Sequence, residues 1–300
     1  MNKKYLQIIT LILILTLVVV AAAACGQQES NTAPEGEVEQ QNEDQSDNGQ
    51  DVDDSLERVM NDGKIRIGLD DAYPPMAFRD DNNELIGYDI DLANEIASRM
   101  GIDIEWVPSE WSGVILALTS GKFDLLMSGL SMTKERAQEI DFSPAYILQG
   151  QVVVVKEGED SIKTKEDLKG KVVGTQLGST GEKAAEKLEG LKELKKYSKY
   201  TEAFLDLSND RIEAIVVDEV VGRHYLTKRP NEFKVQFSLV DEPVGIGFRK
   251  QDKALQEAVN SILKEMTEDG TTAEISERWF GENISVFEEI SFEQEIQDEE

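Results

Sequence analysis

Few side chains in this sequence could do covalent chemistry. A single cysteine (Cys25) and a single histidine (His224) occur in 300 residues. They leave no partner for a disulfide and little for a zinc site or a histidine-based triad. What remains are carboxylates, arginines and hydroxyls, which bind by charge and hydrogen bonds. Asp218 follows the apolar run Ile215-Val-Val217, the C-terminal end of an expected strand, which is where open α/β sheets hold ligands. It could equally cap a helix starting at Glu219. Gly174-Thr-Gln-Leu-Gly-Ser-Thr-Gly181 is a glycine-rich turn between a strand and a helix, and helix N-termini attract anions. Its spacing fits neither G-x-G-x-x-G nor the Walker pattern of a phosphate cradle. Arg136 lies in Ser131-x-Thr-x-x-Arg, and taken alone it reads as a solvated helix residue.

The elements that must position these groups alternate between strands and helices. Lys64–Asp70 is an alternating strand ending in an acidic turn, and Tyr73-Pro-Pro75 forces an extended or turn conformation. A helix follows Gly87, with Leu92, Ile96 and Met100 on one face and Gly101 as its left-handed stop. Strand Ile102–Val107 comes next, then a helix through Leu118 with Ser112 as its expected N-cap, then a buried strand over Phe123–Met127. Thr133 is expected to cap a further helix. After the apolar run Tyr146–Val155, a second series predicts strands at 168–174, 213–217 and 244–248. Its helices are expected at 180–188, 203–207 and 219–226, with a long amphipathic helix carrying Leu255 to Met266 and a last one around Ile275–Trp279. Repeated strand–helix order implies open, mainly parallel sheets, and two such series suggest two lobes.

The ends read differently. Asn2-Lys3-Lys4, the apolar run Ile8–Ala24 and four alanines before Cys25 have the layout of a secretory signal. The segment also resembles a bacterial lipoprotein signal, in which the cysteine is lipidated, with Ala22 standing where that motif usually has a large aliphatic residue. An uncleaved signal anchor is the competing reading, because the apolar run approaches the ~20 residues that span a bilayer. Either way the folded part lies outside the cytoplasm. The formal charge is −29, and well over half of it sits in two acid-only stretches, Gly26–Asp54 and Gly281–Glu300. These are poor in core formers and are expected to be disordered. A net-acidic fold argues against nucleic acid as a partner.

Several segments in the right order resemble one family. Gly87-Tyr-Asp-Ile-Asp-Leu-Ala-Asn-Glu-Ile-Ala97, Trp111-Ser-Gly-Val-Ile-Leu-Ala-Leu118, Met132-Thr-Lys-Glu-Arg136 with Asp141-Phe-Ser143, and Arg278-Trp-Phe-Gly281 are similar to the polar amino-acid solute-binding proteins, family 3, that serve ABC importers. The resemblance spans residues 58–281. It implies an α/β, two-lobed periplasmic-binding-protein fold of type II with two crossover hinge strands, near 146–150 and 240–244. Lobe 1 would hold 58–145 plus 245–281 and lobe 2 would hold 151–239. They would be flanked by a signal peptide (1–24), a lipidated Cys25 with a disordered acidic linker (25–57), and an acidic tail (282–300).

The same resemblance assigns roles within a cleft that closes about its hinge. Arg136 would grip the ligand carboxylate bidentately, which lysine could not do, with Gly129 and Ser131 at the same end. Asp218 would take the ammonium, and Gln176 and Thr180 would also contact the ligand. Tyr73 and Trp111 would sandwich its side chain. Asp70 would meet the distal end, and with Glu110 nearby it leans toward a basic ligand such as arginine or lysine, then glutamine. The implied activity is reception of a free amino acid at the outer membrane face by a lipid-anchored monomer, and delivery to ABC permease subunits. No cofactor, metal or catalytic residue is implied. A sensory ligand-binding domain is one alternative, and a dehydratase-like enzyme on the same scaffold is another.

Overall fold

Strand–helix alternation builds two mixed sheets whose C-terminal strand edges face each other. The computed structural model describes residues 53–292; the signal segment, Cys25 and most of the acidic linker lie outside the described residues. The first half contains β1 (Lys64–Leu69), β2 (Ala72–Tyr73), β3 (Ala77–Arg79), β4 (Leu85–Ile86), β5 (Asp103–Pro108), β6 (Leu125–Leu126) and β7 (Ile140–Phe142). The long strand β8 (Ala145–Lys156) leads into β9 (Val172–Gln176), β10 (Glu193–Tyr197) and β11 (Ala214–Asp218). A second long strand, β12 (Phe233–Val244), returns to β13 (Gly247–Arg249), and β14 (Ser285–Glu288) comes last.

One sheet has the order β5-β1-β6-β13-β7, and the other β10-β9-β11-β8-β12 with β14 on β8. Strands β2–β4 form a small separate sheet. This is the two-lobed type II arrangement. The sheets are less parallel than the repeating order suggests, because β13 runs antiparallel to both β6 and β7, and β8 runs antiparallel to β11. The crossovers β8 and β12 pair with each other from Lys156↔Phe233 to Ile147↔Val244, so the two hinge strands form one ladder. That pairing places Gly150 against β12, where a Cβ would lie 2.0 Å from the Val240 carbonyl oxygen.

The cores follow the expected periodicities. Ile65 and Ile67 pack with Leu92 and Ile96 of the Tyr88–Met100 helix and with Leu255, Val259 and Leu263 of the Lys253–Glu268 helix. On one face of the other sheet, Val153, Val155, Val173 and Val216 form a second cluster. Gly101 ends its helix with φ 71°, and the Thr133 hydroxyl accepts the Arg136 amide at 3.2 Å, both as the sequence predicts.

Four local expectations are corrected. Ser112 caps no helix: Trp111–Gly113 is a 3-10 turn, and the α-helix runs Val114–Thr119 behind Gly113. The strand expected from Leu168 starts at Val172, because Lys165–Leu168 winds into a 3-10 turn under a Thr164–Asp167 capping box. Helix Ser55–Asp62 begins inside the segment expected to be linker. Its Val59 is fully buried, and the Leu255 amide donates to the Ser55 hydroxyl at 3.2 Å. Nor is residue 281 the end of ordered packing, since β14 adds to the hinge strand through Ser285↔Ile147 and Glu288↔Ala145.

Candidate functional site

Each sheet delivers polar groups from the C-terminal ends of its parallel strands, the edge where α/β sheets bind ligands. Beyond β1 comes Asp70, beyond β5 Glu110, and beyond β6 the turn Ser128–Ser131. From the second sheet, Gln176 ends β9, Lys199 follows β10 and Asp218 ends β11. The Thr180–Glu186 helix presents its N-terminus beside them, capped by the Ser179 hydroxyl. Tyr73, Trp111, Gly129, Ser131, Arg136, Gln176, Thr180 and Asp218 all line one cavity together with Ser128 and Ser179. Asp70 is tied to that cavity through Gln176, whose Nε2 donates to its Oδ2 at 2.7 Å. The nine residues named from the sequence therefore come together. A larger groove of about 1090 Å³ runs between Phe78, His224 and Trp279, but Asp70, Arg136 and Asp218 do not line it.

Arg136 and Asp218 sit on opposite lobes. The Arg136 guanidinium donates to the Ser131 carbonyl at 2.7 Å and to the Gly178 carbonyl of the other lobe at 3.4 Å, and it lies 5.6 Å over the Trp111 ring. Among the described residues it is in no ion pair, which leaves part of its five-donor fork for an anion. Burial lowers its pKa from the ordinary arginine value, opposed by the nearby charges of Glu242 and Asp218. Asp218 makes no side-chain cap of the helix it precedes. Its carboxylate instead accepts from Gln149 Nε2 at 3.0 Å and Gln151 Nε2 at 2.9 Å. Burial and then the charge of Glu242 push its pKa up to about 6, while Tyr73, Gln151 and Arg136 favour the ionised form. This is a desolvated anion beside a second one, an arrangement that a cation would relieve.

Backbone geometry fixes the floor of the cavity. Gly129 has φ 58°, and a Cβ there would lie 2.7 Å from Tyr73 Cε1, so only glycine allows the tyrosine ring its place. The Gly129 amide is already committed to the buried Asp89, leaving its carbonyl as the group available to a ligand. Tyr73 and Trp111 lie nearly parallel, with centroids 6.4 Å apart and 7° between planes, and both are buried. Thr180 Oγ1 reaches Ser131 Oγ across the cleft at 3.4 Å. Gly178, at φ 80°, passes so close to the other lobe that a Cβ would sit 2.7 Å from Ser112 Cα. The enclosed space is about 10 Å³, room for one water at most, so an amino acid can enter only if the lobes part.

Asp70 departs from what the sequence alone suggests. Both oxygens of its carboxylate are already engaged by the protein, with Oδ1 accepting from the Ala72 amide at 3.0 Å and from Lys199 Nζ at 2.9 Å, and Oδ2 from Gln176. Glu110 is exposed and lies 3.8 Å from the same Lys199 ammonium. Sequence reading missed Lys199, Glu242, Gln149 and Gln151. The two glutamines could have been flagged by the face of β8 they share on either side of Gly150, whereas Lys199 follows a strand whose charged residues hide it. Nothing in the sequence marks Glu242, on the returning hinge strand.

A family model, bacterial extracellular solute-binding proteins, family 3, matches residues 65–282, and the chain belongs to that family. It is 32% identical over 233 residues to the L-cystine-binding protein TcyJ of Escherichia coli K12, covering 77% of this chain and 87% of that one. It is 33% identical to the same organism's ABC transporter arginine-binding protein 1, covering 72% and 90%. Among solved structures, an ancestral arginine-binding protein bound to arginine superposes with TM-score 0.70 at 43% identity, covering 73% of this chain and 99% of that one. An ancestral arginine-binding protein bound to glutamine superposes with TM-score 0.70 at 44% identity, covering 73% of this chain and 99% of that one. These relatives are amino-acid-binding proteins.

Proposed function

We propose that this protein captures a free polar amino acid between its lobes and hands it to the permease subunits of an ABC importer. One observation carries the reading: Arg136 from one lobe and Asp218 from the other line the same closed cavity. A zwitterion presents a carboxylate and an ammonium, both costly to bury unpaired. Arg136 offers unpaired guanidinium donors to the first, while Asp218 and Glu242 offer negative charge to the second. Closure then completes both pairs at once, and the ligand's differential affinity for the closed form drives the hinge. Tyr73 and Trp111 flank the side chain, and Ser131, Gln176, Thr180 and the Gly129 carbonyl complete the polar lining.

The protein works without turnover in this reading. Asp218 is held by two glutamine amides, and Asp70 by a glutamine amide, a backbone amide and the Lys199 ammonium, an arrangement for binding rather than proton transfer. Lipidation at Cys25 would hold the monomeric receptor on the outer face of the cell membrane, with the acidic linker as tether. The test is calorimetry of the protein lacking its leader against each of the twenty amino acids. Binding of at least one, lost in Arg136→Ala, is expected; binding of none overturns the proposal.

A further inference from the structure

Asp70 is the acidic group expected to select a basic side chain, yet the protein brings its own cation to it. Lys199 Nζ lies 2.9 Å from Asp70 Oδ1 and 3.8 Å from Glu110. Asp70 is fully buried and Lys199 largely so, which makes the pair a desolvated one rather than a surface contact. Gln176 occupies the second carboxylate oxygen, and the Ser128 hydroxyl accepts the Asp70 amide at 3.1 Å. Lys199 and Gln176 come from one lobe and Asp70 from the other, so this cluster assembles only when the lobes are closed.

We infer that Lys199 is a specificity-determining residue that neutralises Asp70 and turns the distal subsite from an acidic pocket into a paired donor and acceptor. An arginine or lysine side chain carries donors alone. To reach Asp70 it must displace the Lys199 ammonium and then lie beside it, leaving two cations to share one buried anion. A distal group that both donates and accepts meets no such conflict. It donates to the remaining lone pairs of Asp70 and accepts from Lys199 or Gln176. A side-chain carboxamide has this chemistry, and so does a second amino-acid head group. This inference rests on the amino-acid-receptor reading and refines it, from polar ligands generally to those with a dipolar distal end.

The experiment is calorimetric titration of the wild type, Lys199→Met and Lys199→Glu with L-glutamine, L-cystine, L-arginine and L-lysine. The wild type is expected to bind glutamine or cystine more tightly than either basic amino acid, and the better of the two identifies the carboxamide or the second head group. Lys199→Met removes the charge while keeping the chain length, and should raise arginine affinity at least about tenfold relative to glutamine. Lys199→Glu should raise it further. Arginine affinity unchanged or lowered in Lys199→Met, in a variant that still binds glutamine, overturns the inference but leaves the receptor reading intact. So does a wild type that prefers arginine outright. If no amino acid binds the wild type, both fall together.

Discussion

The Gly129 amide lies 2.6 Å from the Asp89 carboxylate, a contact that ties the floor of the site to the first turn of the Tyr88–Met100 helix. The other carboxylate oxygen accepts the Tyr146 hydroxyl at 2.9 Å, at the start of hinge strand β8. One buried acid thus braces both the ligand floor and the hinge. Asp89→Ala should leave two buried donors unsatisfied, at about 1–3 kcal/mol each. Urea unfolding should show a loss of that size, accompanied by weaker ligand binding.

Burial raises the Asp89 pKa to about 7, against the hydrogen bonds from Gly129 and Tyr146. Its value in the folded state is above the unfolded one, so the folded form binds more protons. The resulting stability is present at low pH and is lost as pH rises through 7. Between pH 6.5 and 8 the unfolding free energy should fall by about 1 kcal/mol. His224, which burial holds near 4 in the fold, titrates near 6.5 once unfolded and adds a smaller opposing slope at the low end of this window, so the Asp89 share is read as the difference from Asp89→Asn. Asp89→Asn should flatten the slope.

Arg136→Ala should weaken amino-acid binding by about 3–5 kcal/mol, as when one member of a buried ion pair is removed. Arg136→Lys should recover only part of it, because a point charge cannot reproduce the fork. Calorimetry on both variants checks the carboxylate role, and an unchanged affinity in Arg136→Ala would rule it out.

Ligand affinity should also depend on pH through Asp218, whose pKa is raised to about 6 by burial and by Glu242. An ammonium pairs with the ionised carboxylate, so affinity should hold above pH 6 and fall about tenfold per unit below it. Glu242→Gln removes the repulsion and should move the break to lower pH. A titration series from pH 7.5 to 4.5 on both proteins reads the two breakpoints.

Asp70→Asn leaves the Lys199 ammonium facing a neutral amide. Glutamate should then gain affinity relative to glutamine, since its side-chain carboxylate can take the partner that Asp70 no longer supplies. A variant that instead loses arginine binding selectively, with no gain for glutamate, would show that Asp70 serves the ligand rather than Lys199.

Much of this site was legible in the sequence because it lies at strand ends. Asp218 and Gln176 each end an apolar strand, and Gly129 and Arg136 lie in motifs that specify a turn and a helix start. Lys199 was not, because its pairing with Asp70 spans 129 residues and depends on how two lobes meet. Strand β12 was only partly legible. Its register slips between Val235 and Phe237 and again between Ser238 and Val240, so no regular alternation runs through it. Strand β10 is a charged sheet edge whose lysines protect it from further pairing but erase the apolar signal. The Ser112 cap failed because a 3-10 turn at Trp111 delays the helix.

The close passage of Gly178 against Ser112 makes the absence of a side chain a working part of the trap. A single methyl group there would act as a doorstop: the ligand could still settle on either lobe, but the jaws could not meet. Gly178→Ala would then yield a folded receptor jammed ajar, and its small-angle scattering profile would stay that of the open form at saturating ligand.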